Sequence, residues 1–258
     1  MNKIIQIGNR TIIKAEILTL LTEYQMLPLL WRGLIIDQAI APIELSDLDK
    51  INALKQFDKK HQLTSLAKRS FWGEARGMTI EQVENFATRE LKIERFKAAT
   101  WGAKLESYFL THKSKLDKVV YSLLRTTGQE VATELYFRIE SGEQTFAELA
   151  REYSQGAEAQ TGGLLGPIEL TQPHPTLAKM LSVSQPGQLW SPIQLGEWFV
   201  IVRLEKFIPA VLDDVMRQQL LNGLFEGWIQ EQVQQEMKKW SDGEDVNPSA
   251  QAIVFEAV

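Results

Sequence analysis

The chain has 258 residues, 44% of them hydrophobic and 24% charged, with a formal net charge of -5 and no cysteine. That composition excludes disulfide staples, thiol catalysis and cysteine-ligated zinc or iron–sulfur sites, and the acidity argues against general nucleic-acid binding. His61, His112 and His174 are far apart in sequence and sit in no metal-ligand spacing, so neither a metal nor any other cofactor is expected.

No stretch is apolar over the roughly 18 residues needed to cross a bilayer, so membrane insertion is not expected. The opening residues, with Lys3 and a short apolar run, lack the pattern of a secretory signal, which predicts a cytosolic protein. Charge is uneven: residues 1 to 118 carry about +5 and the remainder about -10. Two solvated faces that attract each other account for this, as does a basic surface for an acidic partner.

Ile4 to Ile13 reads as a short strand, a Gly8-Asn9 turn and an entry into a helix. Ile17, Leu20, Tyr24, Leu27, Trp31 and Leu34 then recur at helical spacing, with Pro28 expected to kink the helix and Pro42 to stop it. Ser46-Asp47-Leu48-Asp49 opens another helix, and Thr79-Ile80-Glu81-Gln82 opens a long one with no strong breaker before His112. At 119–124 the pattern changes to the β-branched and aliphatic run of a buried strand. A helix over 129–140, a Thr145-Phe146-Ala147-Glu148 capping box, a glycine-rich loop at 162–167, a short helix near 176–181 and a strand over 198–205 complete a small α+β unit. The loop lacks the Lys-Ser/Thr of a phosphate cradle and opens no helix after a strand, so nucleotide binding is not expected. From 213 to 240 a strong apolar stripe, Leu221, Phe225, Trp228, Val233 and Met237, needs a helical partner. The tail that follows reads as flexible. The seven tryptophans are spread along the chain and read mostly as core.

Gly142-Glu143, Phe146-Ala147-Glu148-Leu149-Ala150, Tyr153-Ser154, Gly162-Gly163-Leu164-Leu165-Gly166 and Pro186-Gly187-Gln188-Leu189-Trp190-Ser191-Pro192-Ile193 follow one another at a spacing that resembles the parvulin peptidyl-prolyl cis/trans isomerases. The helical flanks, with the opening Ile7-Gly8-Asn9-Arg10-Thr11-Ile12, look like those of SurA-like and PrsA-like foldases. This resemblance implies a mostly helical SurA-like domain at 1–115 completed by a helix at 210–240, a β-α-α-β-α-β parvulin-like domain at 116–208, and a tail at 241–258. It also implies isomerisation and folding of proline-containing or unfolded polypeptide clients. Relatives of this kind are typically exported, which stands against the cytosolic expectation.

Carried over residue by residue, the resemblance puts Leu165 in the floor of an apolar pocket and Leu177 where a large apolar side chain meets the proline ring. Trp198 and Phe199 become candidates for the substrate-facing position of the last strand. Where the family has a first-strand histidine this chain has Tyr121, where it has a second histidine stands Phe199, or Trp198 if the alignment moves by one, and where it has an acid or cysteine stands Gly156. Tyr121 with Ser154 and Gln155 is then the candidate polar set: a hydroxyl donor and two groups able to orient it or a carbonyl. His174, between two prolines, reads as a loop residue. Two functions follow from the resemblance, an isomerase and foldase with a rebuilt polar site, and a catalytically degenerate fold that serves as a peptide-binding chaperone or secretion adaptor.

Overall fold

A computed structural model describes residues 5–242, and the tail expected beyond them, from 243 on, lies outside the described residues. The chain is α+β and divides into two compact units, Met1–Leu105 with Arg217–Val258, and Glu106–Met216.

The first unit opens with a hairpin, β1 (Ile5–Ile7) and β2 (Arg10–Ile12), turning at Gly8, followed by α1 (Lys14–Glu23) and α2 (Leu27–Ile40). Pro28 does not kink a continuous helix. The chain breaks at Gln25, whose φ is positive, and Pro28 lies in the first turn of α2, where its missing N–H has no helical partner to lose. Ser46 caps α3 (Asp47–Lys60) through a reciprocal pairing with Asp49. Next come α4 (Leu66–Glu74), which the sequence reading passes over, and α5 (Ile80–Trp101), capped by Thr79 and Gln82. The long helix expected to reach His112 ends at Trp101, and a 3₁₀ turn over Gly102–Lys104 precedes α6 (Leu105–Leu116). Gly102 has weak helix propensity and the apolar stripe is interrupted there.

The C-terminal helix α10 (Asp214–Ser241) supplies Phe225 and Ile229 to a core with Ile36, Ala39 and Ile40 of α2 and Phe96 of α5. Lys97 is buried at this seam. Its ammonium reaches Glu94 at 2.7 Å and Asn222 at 2.6 Å and lies 5.0 Å from the Phe225 ring centre. Among the described residues no helix is long and apolar enough to cross a membrane.

In the second unit, β3 (Lys118–Thr126), α7 (Gln129–Glu140), α8 (Phe146–Tyr153), β4 (Leu164–Glu169), α9 (Pro175–Val183), β5 (Leu189–Leu195) and β6 (Trp198–Ile208) build an antiparallel sheet of order β4-β3-β6-β5. β5 adds a strand to the expected β-α-α-β-α-β order. It is an edge strand, which is where a strand tolerates Pro192. Successive side chains point to opposite faces, so each central strand feeds two cores. One contains Val119, Tyr121, Val200, Val202 and Leu204 with Leu177 and Leu181 of α9. The other contains Leu124 and Ile201 with Leu135 of α7 and Phe146, Leu149 and Ala150 of α8.

The glycine-rich segment is where β4 approaches β3. Gly163 has φ +84°, its carbonyl accepts the Leu123 N–H at 2.8 Å, and a Cβ there would lie 2.8 Å from the Leu123 carbonyl oxygen and 2.9 Å from the Phe146 ring. Those neighbours are a sheet backbone and a core aromatic, neither free to retreat. Gly163→Ala is therefore expected to lower unfolding stability by about 2–4 kcal/mol, read from the urea midpoint; a loss below about 0.5 kcal/mol would contradict the close approach.

Candidate functional site

On the α9 side of the sheet the structure gathers four of the sequence-predicted residues. Tyr121 of β3, Leu165 of β4, Leu177 of α9 and Trp198 of β6 belong to one apolar cluster, with Leu123, Ile193 and Leu195 packed beside it. Tyr121 and Leu177 are buried while Leu165 and Trp198 are half-buried, so the cluster reaches the surface at Leu165 and Trp198. Opposite Tyr121 the register slips on both sides of β3, with the extra residue on the partner strands: Glu205 of β6, and one residue of β4 between Leu165 and Ile168.

Tyr121 is 4% exposed, yet its hydroxyl makes no hydrogen bond among the described residues and is not among the fully sealed polar atoms, so the oxygen keeps some access to solvent. Burial, and after it the negative charge of Glu158, raises its pKa above the usual tyrosine value. The phenol is thus held as a neutral donor in an apolar setting.

Phe199 does not join this cluster. It neighbours Trp198 in the strand and so faces the other way, lining a separate cavity of about 410 Å³ with Tyr136 and Phe137 of α7 and Pro192 of β5. Of the two alignments, only the one through Trp198 reaches the pocket. Ser154 and Gln155 also have other work. The Ser154 Oγ accepts the Arg125 N–H at 3.1 Å and donates to Glu158 Oε1 at 2.6 Å. The Gln155 Oε1 accepts the Thr127 N–H at 3.2 Å, tying the end of α8 to the end of β3. Neither hydrogen-bonds the Tyr121 hydroxyl. His174 caps α9, its Nδ1 accepting the Thr176 N–H at 3.3 Å.

Two residues that the sequence reading did not single out form the polar corner of the site. Glu158, in a 3₁₀ turn over Ala157–Thr161, is 4% exposed and pairs with Arg125: Nη2 to Oε2 and Nε to Oε1, both 3.0 Å. The guanidinium lies 5.5 Å from the centre of the Trp198 ring. Tyr121, Leu123 and Arg125 alternate onto the same face of β3, which brings the pair beside the pocket. Gly156 gives them room, because a Cβ there would fall 2.1 Å from Arg125 Nε and Nη2 and 2.2 Å from Glu158 Oε2. The sequence offers one signal for the pair, a lone arginine four residues beyond Tyr121 on a strand with two-residue periodicity. Among the described residues there is no cluster of groups suited to a metal ion.

Residues 115–206 match the rotamase family, described as the PPIC-type PPIase domain. Residues 115–206 form a parvulin-type rotamase domain. The chain is 27% identical over 167 residues to the foldase protein PrsA of Clostridium botulinum (strain Loch Maree / Type A3), covering 63% of this chain and 49% of that protein. It is 33% identical over 87 residues to the chaperone SurA of Bordetella avium (strain 197N), covering 33% of this chain and 17% of that protein. The match thus spans about half the length of the PrsA relative and a smaller part of SurA. The PrsA alignment is longer than the rotamase domain, so the likeness continues into the helical part, and the chain has a PrsA/SurA-like architecture. A crystal structure of peptidylprolyl isomerase PrsA from Bacillus cereus superposes with a TM-score of 0.48 at 16% identity, covering 98% of this chain and 95% of that one.

The packing around Gly156 makes a direct prediction. Gly156→Ala displaces the flexible end of Arg125 and leaves Glu158 buried without its partner, and is expected to cost about 1–3 kcal/mol in chemical denaturation. An unchanged urea midpoint would show that the pair does not hold this corner.

Proposed function

We propose that this chain is a parvulin-type peptidyl-prolyl cis/trans isomerase and foldase that acts on proline-containing polypeptides, with the rotamase domain as its catalytic part and the helical unit as the part that holds client segments. The supporting observation is the buried Tyr121 hydroxyl, unbonded and with access to solvent, at the edge of an apolar pocket. Proline-containing or unfolded polypeptides are the partners this reading names.

The barrier to be lowered is the roughly 18–20 kcal/mol of rotation about the partly double imide bond. No bond to the substrate has to form. In the proposed mechanism Leu165, Leu177 and Trp198 take up the proline ring and remove water from around the imide. In water a carbonyl hydrogen bond stabilises the planar, polar resonance form, so an apolar setting favours the twisted one. Tyr121 then donates its hydroxyl proton in a hydrogen bond to the imide nitrogen, whose lone pair becomes available only as the bond twists. The interaction is therefore stronger in the transition state than in the ground state.

A second reading, a parvulin fold that holds peptides without turning them over, draws on the same corner of the site. Ser154 is engaged by Arg125 and Glu158, and Gln155 holds Thr127 through its Oε1, so of the predicted polar set only Tyr121 belongs to the apolar cluster.

Exchange spectroscopy on alanyl-prolyl peptides separates the two. Tyr121→Phe is expected to lower kcat/KM about tenfold through kcat, the worth of one buried hydrogen bond, and Leu165→Ala to act mainly through KM. Peptide binding without acceleration of exchange by the wild type would select the holding module. Because the phenol pKa is raised, Tyr121 keeps its proton throughout the range below its usual value near 10, and the rate is expected to be flat from about pH 6 to about pH 9. A rate that falls across that window would remove Tyr121 from the donor role.

A further inference from the structure

Arg125 has more donors than its partner uses. Glu158 takes Nη2 and faces Nε, and the backbone N–H of Arg125 goes to Ser154, while Nη1 makes no hydrogen bond among the described residues. The side chain is 34% exposed, against 4% for Glu158, so the carboxylate lies beneath and the guanidinium lies at the surface. Nη1 is not among the sealed polar atoms, and the guanidinium stands over Trp198 where the cluster reaches the surface. A planar fork with one edge clamped by a carboxylate presents its remaining N–H groups in a fixed direction, at little further cost in side-chain entropy. Here the clamp is reinforced, because Glu158 is itself fixed by Ser154 and its backbone carbonyl accepts the Gly163 N–H at 2.8 Å.

Resting on the isomerase reading above, we propose that Arg125 is a substrate-binding residue, whose Nη1 donates to a main-chain carbonyl of the client next to the proline, and that Glu158 is its positioning residue. The paired guanidinium settles which chemistry it recognises. With Glu158 at 3.0 Å its charge is already balanced, so it has little net attraction to offer an acidic side chain, but its free N–H groups remain good donors to a neutral oxygen. Recognition of a backbone carbonyl is indifferent to the identity of the residue before proline. The site is thus built to accept many proline sequences, with Trp198 beside the guanidinium covering the same stretch of chain.

The test uses the full chain with ¹⁵N-labelled arginine and two probe peptides, acetyl-Ala-Ala-Pro-Phe-amide and acetyl-Ala-Glu-Pro-Phe-amide. Both peptides are expected to shift the Arg125 side-chain resonances to the same extent and with the same midpoint as the Leu165 methyls. Arg125→Lys, which keeps a cation but loses the fork, is expected to raise KM about tenfold for both peptides while kcat stays within about twofold. Glu158→Gln is expected to weaken binding of the alanyl peptide to a smaller extent and of the glutamyl peptide less still, because it loosens the fork and leaves its charge unbalanced. Shifts at Leu165 with none at Arg125 would overturn the contact while leaving the isomerase reading intact. A response confined to the glutamyl peptide would overturn carbonyl recognition in favour of charge recognition. Silence at both Leu165 and Arg125 would overturn the pocket, and the contact with it. The wild-type titration stands alone even if Arg125→Lys fails to fold.

Discussion

The rotamase unit depends on the antiparallel ladder between β3 and β6. These two strands occupy the middle of the sheet and pair from Lys118 with Ile208 to Thr126 with Phe199. Each therefore has both faces covered, and a shift of one residue in either would exchange the two cores. The face that carries Tyr121, Leu123 and Arg125 meets Trp198, Val200 and Val202, and that combination of one donor, one ion pair and a wall of apolar side chains is the proposed site. The opposite face, with Leu124 and Ile201 against α7 and α8, is closed and apolar and holds the ladder in place. The proposed site and the closed core thus lie on opposite sides of the same strands.

The pair at Arg125 and Glu158 modifies that plan locally. Regular alternation puts Tyr121 and Arg125 on one face of β3, and Gly156 opens a space that a guanidinium fills. A buried ion pair is not in itself a strong source of stability, since desolvation of both groups opposes their attraction. Its value here is geometric: it holds two side chains in place beside the proposed site.

Much of this was legible in the sequence where the signal is local. The Ser46, Thr79 and Thr145 caps mark helix starts because the groups that pair lie three residues apart, and α7 has the predicted ends. The apolar pocket positions Leu165 and Leu177 came with the spaced parvulin motifs. What escaped the reading is non-local or weakly patterned. β5 was missed because Ser191 and Pro192 interrupt its alternation, α4 because Ser65 has no acid partner to complete a box, and the end of α5 because one glycine is a modest breaker. Trp198 and Phe199 were indistinguishable until the sheet fixed their faces. Arg125 and Glu158 are 33 residues apart and nothing near either one announces the other.

The central claim is that the α9 side of the sheet takes up a proline ring. Intermolecular nuclear Overhauser effects between the ring protons of a bound prolyl peptide and the side chains of the intact chain test it most directly. The account predicts contacts to Leu165, Leu177 and Trp198, with Tyr121 beside the imide. Contacts to Phe199 and Phe137 on the opposite face would contradict it.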